Sequence, residues 1–303
     1  MFFYSAFGFQ IASDFQLPPL ISSSHTAADI TVSARAVDPN GLEAPDVVKP
    51  LCQIQKDKLW LHIPNVAYFL IEDGRSITYQ KEPGCDDDSL RLFILGSCFG
   101  AVFHQRGCLV LHANAIKVGD DCVVFMGPSG NGKSSLAAGF YLRGYPILTD
   151  DVAVVDSEGY VYSGYPQLKL WADVARRLQI DTAGLHRIRP QVEKFAFPTI
   201  SNFVATRAKL RAAYVLSTHN QDDIVLSRIA GMAKFNPLKN NTYRINYVKG
   251  LHQQPVHFQL ISTLAQQIQL FHISRPKAHF CLDEMISLLE AHWVSELGVS
   301  GER

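Results

Sequence analysis

The chain has 303 residues, 47% of them hydrophobic and 18% charged, a globular rather than a disordered composition. Lys+Arg and Asp+Glu balance at 28 each, so no global basic field argues for nucleic acid and no acidic tail argues for a basic partner. The length predicts two units, and no apolar run reaches the ~18 residues that a membrane span needs.

The six cysteines form no C-x-x-C pair and no zinc-ligand spacing, which predicts a reduced, cytoplasmic protein without disulfides. The opening MFFYSAFGFQIASDF has no basic n-region and does not read as a signal peptide.

Residues 1–84 read as a β-rich N-terminal region. Phe7–Ile11 and Leu59–Ile63 alternate, and Ile30–Val32 is a short β-branched run. Val66–Ile71 and Ile77–Tyr79 flank Asp73-Gly74, a hairpin signal. Ser89–Gln105 is apolar nearly all round behind the acidic start Asp86–Asp88, which predicts a buried helix. A boundary is expected here, with residues 85–303 as a second domain.

From Gly107 the pattern becomes strand, turn, strand, loop, helix, strand. Leu109–Val118 and Cys122–Met126 are expected as a hairpin around Gly119-Asp120-Asp121. A helix from Lys133 to Arg143 stops at Gly144, and a strand from Ile147 runs through Asp150-Asp151 to Val155. Beyond it, Asp173–Leu178, Pro255–Gln267 and Asp283–Trp293 read as helices, and Ala212–Ser217, Ile224–Ser227 and Ile268–Ser274 as strands. Phe195, Phe197 and Phe203 are expected in the core.

Between the hairpin and the helix lies Gly127-Pro128-Ser129-Gly130-Asn131-Gly132-Lys133-Ser134, which matches G-x-x-x-x-G-K-[ST]. Glycines let successive N–H groups converge on one anion, and the following helix adds its positive end. Lys133 would reach the β- and γ-phosphates, Ser134 would hold Mg²⁺, and Ser135 could touch the α-phosphate. Four fixed positions match by chance about once in 100 chains of this length, and the strand before and helix after make the match more specific.

Asp150-Asp151 follows one helix and one strand later. Strand ends in a β-α-β unit open on one edge, so the pair is expected near the phosphates. One carboxylate can hold Mg²⁺ and the other can accept a hydroxyl proton. Adjacent strand residues point opposite ways, so a kink is required for both to contribute. His112 falls opposite Gly127 if the hairpin loop is Gly119-Asp120, and opposite Ser129 if it is Asp120-Asp121. In either register it could hydrogen-bond Asp150. Among the cations of residues 165–195, Lys169, Arg189 and Lys194 are candidates to meet an anionic substrate.

Leu111-His-Ala-Asn-Ala-Ile116, Gly127–Ser134 and Arg143-Gly-Tyr-Pro-Ile-Leu-Thr-Asp-Asp151, taken together, resemble the catalytic core of HPr kinase/phosphorylase. The whole chain resembles the HPr-kinase-related proteins, through Phe7-Gly-Phe-Gln-Ile-Ala-Ser-Asp14, His104-Gln-Arg-Gly107 and Leu111-His-Ala113. Some of those lie in lasso-peptide biosynthesis clusters and phosphorylate the C-terminal serine of the precursor. The resemblance implies an α/β P-loop kinase of the HPr kinase / phosphoenolpyruvate-carboxykinase-like type, with a small β-rich N-terminal region. It implies Asp150 as the base, paired with His112, and Asp151 as a metal ligand. Lys133 and Ser134 would serve ATP (GTP being the alternative) and Mg²⁺. The acceptor would be a serine of a peptide or protein, and self-association into a homo-oligomer stays open. The chain departs from HPr kinase at Ser135, where a glutamate is usual, and at Tyr165–Trp171, where the R-G-x-G signature is missing. A small-molecule or carboxykinase-like kinase and a nucleotide sensor without phosphotransfer are the alternative functions.

Overall fold

The structure, a computed structural model, describes residues 1–298. It is a mixed α/β protein with two nine-stranded sheets and a small third one.

The first sheet contains β1 (Phe2–Ala6), β2 (Phe9–Ser13), β3 (Ile21–Ser22), β4 (Ile30–Ala34), β5 (Val47–Lys49), β6 (Cys52–Gln55), β7 (Lys58–Ile63), β8 (Ala67–Glu72) and β9 (Ser76–Lys81). Its order is β3-β1-β2-β4-β9-β8-β7-β6-β5. The β8–β9 loop, residues 73–75 between the paired Glu72 and Ser76, places Asp73 and Gly74 at φ 54° and 62°, left-handed values that a tight hairpin turn favours. Next come α1 (Asp87–Phe93) and α2 (Phe99–Gln105), joined through a π turn at Ile94–Cys98. Asp86 caps this helix by accepting from the Ser89 N–H at 2.7 Å.

The second sheet begins with β10 (Leu109–Leu111), β11 (Ala113–Val118) and β12 (Asp121–Met126). The helix α3 (Lys133–Leu142) leads to β13 (Ile147–Thr149), β14 (Ala153–Val155) and β15 (Tyr160–Val161). The third sheet is formed by β16 (Gln167–Trp171), β17 (Arg187–Arg189) and β18 (Val192–Pro198), with α4 (Ala172–Arg177) after β16. β19 (Ala208–His219), β20 (Val225–Ile229) and β21 (Gln269–Pro276) complete the second sheet. The helices α5 (Phe235–Asn240), α6 (Ile245–Gly250) and α7 (Gln254–Gln267) precede β21, and α8 (Leu282–His292) follows it.

Strand β12 alternates between two cores, as a period of two demands. Val123 and Phe125 face α3 and α8, where Phe140, Ile286 and Trp293 pack. Cys122, Val124 and Met126 face the other side, with Leu238, Ile261 and Leu264 from α5 and α7. Helices therefore cover both faces.

Two expected strands are each split in two. The Leu109–Val118 run breaks at His112, because β10 pairs with β14 while β11 pairs with β12 and β13. The Ile147–Val155 run breaks at Asp150-Asp151 for the same reason: β13 lies on β11 and β14 lies on β10. Both segments change partners at matching points, which places His112 beside the acid pair. The expected all-core setting of Phe195, Phe197 and Phe203 is not met. All three are half-buried: Phe195 and Phe197 lie on β18 of the small third sheet, and Phe203 follows it in an isolated bridge to Ile147. All six cysteines are free. Among the described residues, no helix is long and apolar enough to cross a membrane.

Candidate functional site

The hairpin β11–β12 turns at Gly119-Asp120, pairing Val118 with Asp121 and Ala113 with Met126. Continuing that register sets His112 opposite Gly127, the first of the two alternatives. Strand β12 then ends in the loop from Gly127 to Gly132, and Gly132 is the N-cap of α3.

Backbone geometry explains the loop's glycines. Gly127, Gly130 and Gly132 have φ of 139°, 89° and 96°, a region that side chains disfavour. A Cβ on Gly127 would also stand 2.6 Å from the Leu216 carbonyl oxygen of β19. Asn131 ties the loop to the same carbonyl by donating from Nδ2 at 3.0 Å. Pro128, Ser129 and Gly130 are exposed, whereas Lys133 is buried. The Lys133 ammonium donates to the Gly127 carbonyl at 2.7 Å and the Pro128 carbonyl at 3.4 Å. Burial pushes its pKa below the ordinary lysine value, against the pull of Asp151 and Asp150.

β12 and β13 both run antiparallel to β11, so their carboxyl ends share one edge. Asp150-Asp151 sits at that edge. Asp151 adopts φ 64°, and the Val152 N–H donates to the Asp150 carbonyl at 2.8 Å. Thr149 supports the turn by donating to the Val152 carbonyl at 2.7 Å. This is the kink that the acid pair needs.

The two acids have different surroundings. Asp150 is 3% exposed. It accepts from Asn114 Nδ2 at 2.5 Å, the Lys169 N–H at 2.8 Å and Ser134 Oγ at 3.5 Å. Burial and the neighbouring Asp151 charge raise its pKa. The Asp151 side chain keeps 21% exposure and pairs with Lys169 Nζ at 2.9 Å. Burial would raise its pKa too, but Lys169 and Lys194 hold it below the usual carboxylate range. Burial opposes the Lys169 charge, yet Asp151, Tyr165 and Asp150 raise that lysine well above its ordinary value.

His112 does not meet Asp150. Its Nδ1 lies 3.0 Å from the Asp151 carbonyl oxygen, and burial lowers its pKa. Asn114, two residues along, takes the place on Asp150 that His112 was expected to fill. Nothing singled out Asn114 in the sequence, although residues two apart on a strand share a face. Its Oδ1 is buried without a hydrogen-bond partner.

Of the three cations expected to meet an anionic substrate, Lys169 lies at the acid pair and Lys194 is near enough to bear on both acids while its ammonium sits 5.7 Å from the centre of the Trp171 ring. Arg189 is turned away. It donates to Ser89 Oγ at 3.3 Å and lies over Phe93, held by the start of α1. Ser135 lines a small recess with Asn131, Gly132, Arg275 and Phe280. Cys281, another wall of that recess, has its sulfur within 4.8 Å of ligand atoms of His279 and Glu284, a grouping that the sequence spacing had not suggested.

The donor set suits a hard cation. Ser134 Oγ and the Asp150 carboxylate are oxygen ligands brought together at one edge, the kind that Mg²⁺ takes. The loop's N–H groups and the start of α3 suit an anion beside it.

No family model and no curated protein matches the chain. Among solved structures, it is similar to the Hpr(Ser) kinase/phosphatase from Coxiella burnetii, at 13% identity and a TM-score of 0.29, over 62% of this chain and 93% of that one.

Proposed function

We propose that the chain is an ATP-dependent kinase that transfers the γ-phosphate to a serine hydroxyl of a peptide or protein. The observation that carries this reading is the shared edge: Ser134 of the Gly127–Ser134 loop stands 3.5 Å from Asp150, and Asp151 with Lys169 lies immediately beside it. The resemblance of residues 111–116, 127–134 and 143–151 to HPr kinase supports the same chemistry. It also motivates the narrower proposal of a lasso-peptide precursor's C-terminal serine as acceptor.

In this reading Lys133 exchanges its bonds to the Gly127 and Pro128 carbonyls for phosphate oxygens. Ser134 and Asp150 would hold Mg²⁺, which neutralises charge on the transferring phosphoryl group. Geometry favours the reverse of the division of labour that the resemblance implies. Asp150 is buried under Ser134, Asn114 and the Lys169 N–H, whereas Asp151 is the acid open to an incoming alcohol. Reach decides before pKa does, so Asp151 takes the hydroxyl proton as the new O–P bond forms and the bond to ADP breaks. Lys169 orients Asp151.

The test is a pair of variants. Asp151→Asn should lose phosphotransfer by at least a hundredfold with Mg²⁺-ATP affinity kept. Asp150→Asn should weaken Mg²⁺-ATP binding itself by about tenfold or more in calorimetry. Full transfer by Asp151→Asn would overturn the base assignment. ATP binding that is absent in the parent chain, or present without turnover on any serine, would sink the kinase reading and favour the sensor.

A further inference from the structure

A cavity of about 520 Å³ lies directly against the acid pair's partner, Lys169. That volume is within the range that holds a drug-sized ligand. Three separate pieces of the fold build it. The Pro18-Pro19 turn of the first sheet forms one wall, α1 and its π turn a second, and the third sheet with Gly184, Leu185 and His186 just before β17 a third. Leu92, Leu95, Ile188 and Pro198 make the interior largely apolar.

The charges around it are lopsided. Arg91 and Arg187 line it with Lys169, and Asp88 is the one acid on the wall. Asp88 is already spent on Arg91 at 2.5 Å, and Lys169 is spent on Asp151. Arg187 is the cation with charge to offer. Its side chain is 48% exposed, Glu193 stands only at 4.0 Å, and its other contacts are the Pro190 carbonyl at 3.3 Å and the Phe195 ring. A guanidinium in that setting suits a carboxylate.

Resting on the kinase reading above, we infer that this cavity seats the acceptor: a peptide segment whose serine faces Asp151, with an apolar side chain filling the interior and an acidic group meeting Arg187. The nucleotide loop and the acceptor then approach the acid pair from different sides. Lys169 joins the two, because its N–H holds Asp150, its ammonium holds Asp151 and its side chain lines the cavity. Selectivity arises from the chemistry of the walls: a lysine-flanked serine would bury a cation among cations and apolar side chains.

The probe is 1-anilinonaphthalene-8-sulfonate, an apolar body with one anionic group. On the full chain it should bind at one saturable site with enhanced emission. Ala196→Trp, which fills the cavity from β18, should weaken it at least tenfold, and exposed Arg187→Glu severalfold, with the unfolding midpoint as control. A synthetic peptide with serine between leucine and glutamate should displace the dye and accept labelled phosphate at least tenfold better than one with serine between lysines. Dye binding unchanged in both variants, or preference for the lysine peptide, would overturn the inference even if the chain remains an active kinase. Displacement by the leucine–glutamate peptide without any phosphotransfer would instead sink the kinase reading and leave a peptide-binding cavity.

Discussion

Asp150 and Asp151 are neighbours in sequence and differ in nearly everything that surrounds them. Lys133, Ser134 and the acid pair were legible because each belongs to a local pattern with a chemical reason behind it. Asn114 and the partner of His112 were not, because contacts across strands depend on which strands meet. Arg189 looked like a substrate ligand only until the packing of α1 claimed it. His104 offers a test at this scale. It is 1% exposed, its Nε2 donates to the Tyr243 carbonyl at 2.8 Å, and burial pushes its pKa down from 6.5 to about 4. The unfolded chain therefore binds a proton that the folded chain refuses between those values. Stability contributed by the neutral ring is complete above pH 6.5 and is lost as pH falls toward 4. This residue alone should cost about 2 kcal/mol between pH 7.5 and 5. Urea unfolding of His104→Gln, which cannot titrate, should show a correspondingly flatter acid slope.

Elements were easier to foresee than their partners. The hairpins at Asp73-Gly74 and Gly119-Asp120 follow from turn chemistry, and the helix after Asp86 follows from its cap and its apolar faces. The strand breaks at His112 and Asp150-Asp151 do not, since strand preference reflects the neighbours a strand finds. The third sheet escaped for the same reason, since no strand was expected over residues 167–198. The loop element can be tested at Gly127, where an added methyl would meet the backbone of β19 and the φ of 139° is itself unfavourable. Gly127→Ala should destabilise the fold by about 1–3 kcal/mol and, on the proposed function, weaken ATP binding more than tenfold. Gly130→Ala, whose methyl meets nothing within 4 Å, should cost less on both counts in thermal unfolding and calorimetry.

For the whole molecule, one core runs from the first sheet into the second. Phe7 is fully buried at φ 54°, and its N–H donates to the Ser163 carbonyl at 2.7 Å. Its ring packs on Phe103, Phe99 and Tyr165 at centroid distances of 4.9, 6.4 and 6.1 Å. Leu90, Val102, Val110, Val154 and Tyr247 belong to the same cluster as Ile11, Phe69 and Ile77. Residues 1–84 therefore do not close a core of their own. Phe7→Ala should cost about 3–5 kcal/mol and lower the midpoint of a single calorimetric transition. Two separate transitions would mean that the sheets unfold independently.

The sequence by itself determined the Gly127–Ser134 loop, its helix and the acidic pair that follows, since turns, caps and glycine spacing are short-range consequences of residue type. Tertiary structure alone decided which acid is buried and which is open, that Asn114 rather than His112 holds Asp150, and that Lys169 bridges the pair to a cavity. Those outcomes depend on strand partners and burial contributed by segments far apart in the chain, and no local pattern encodes them.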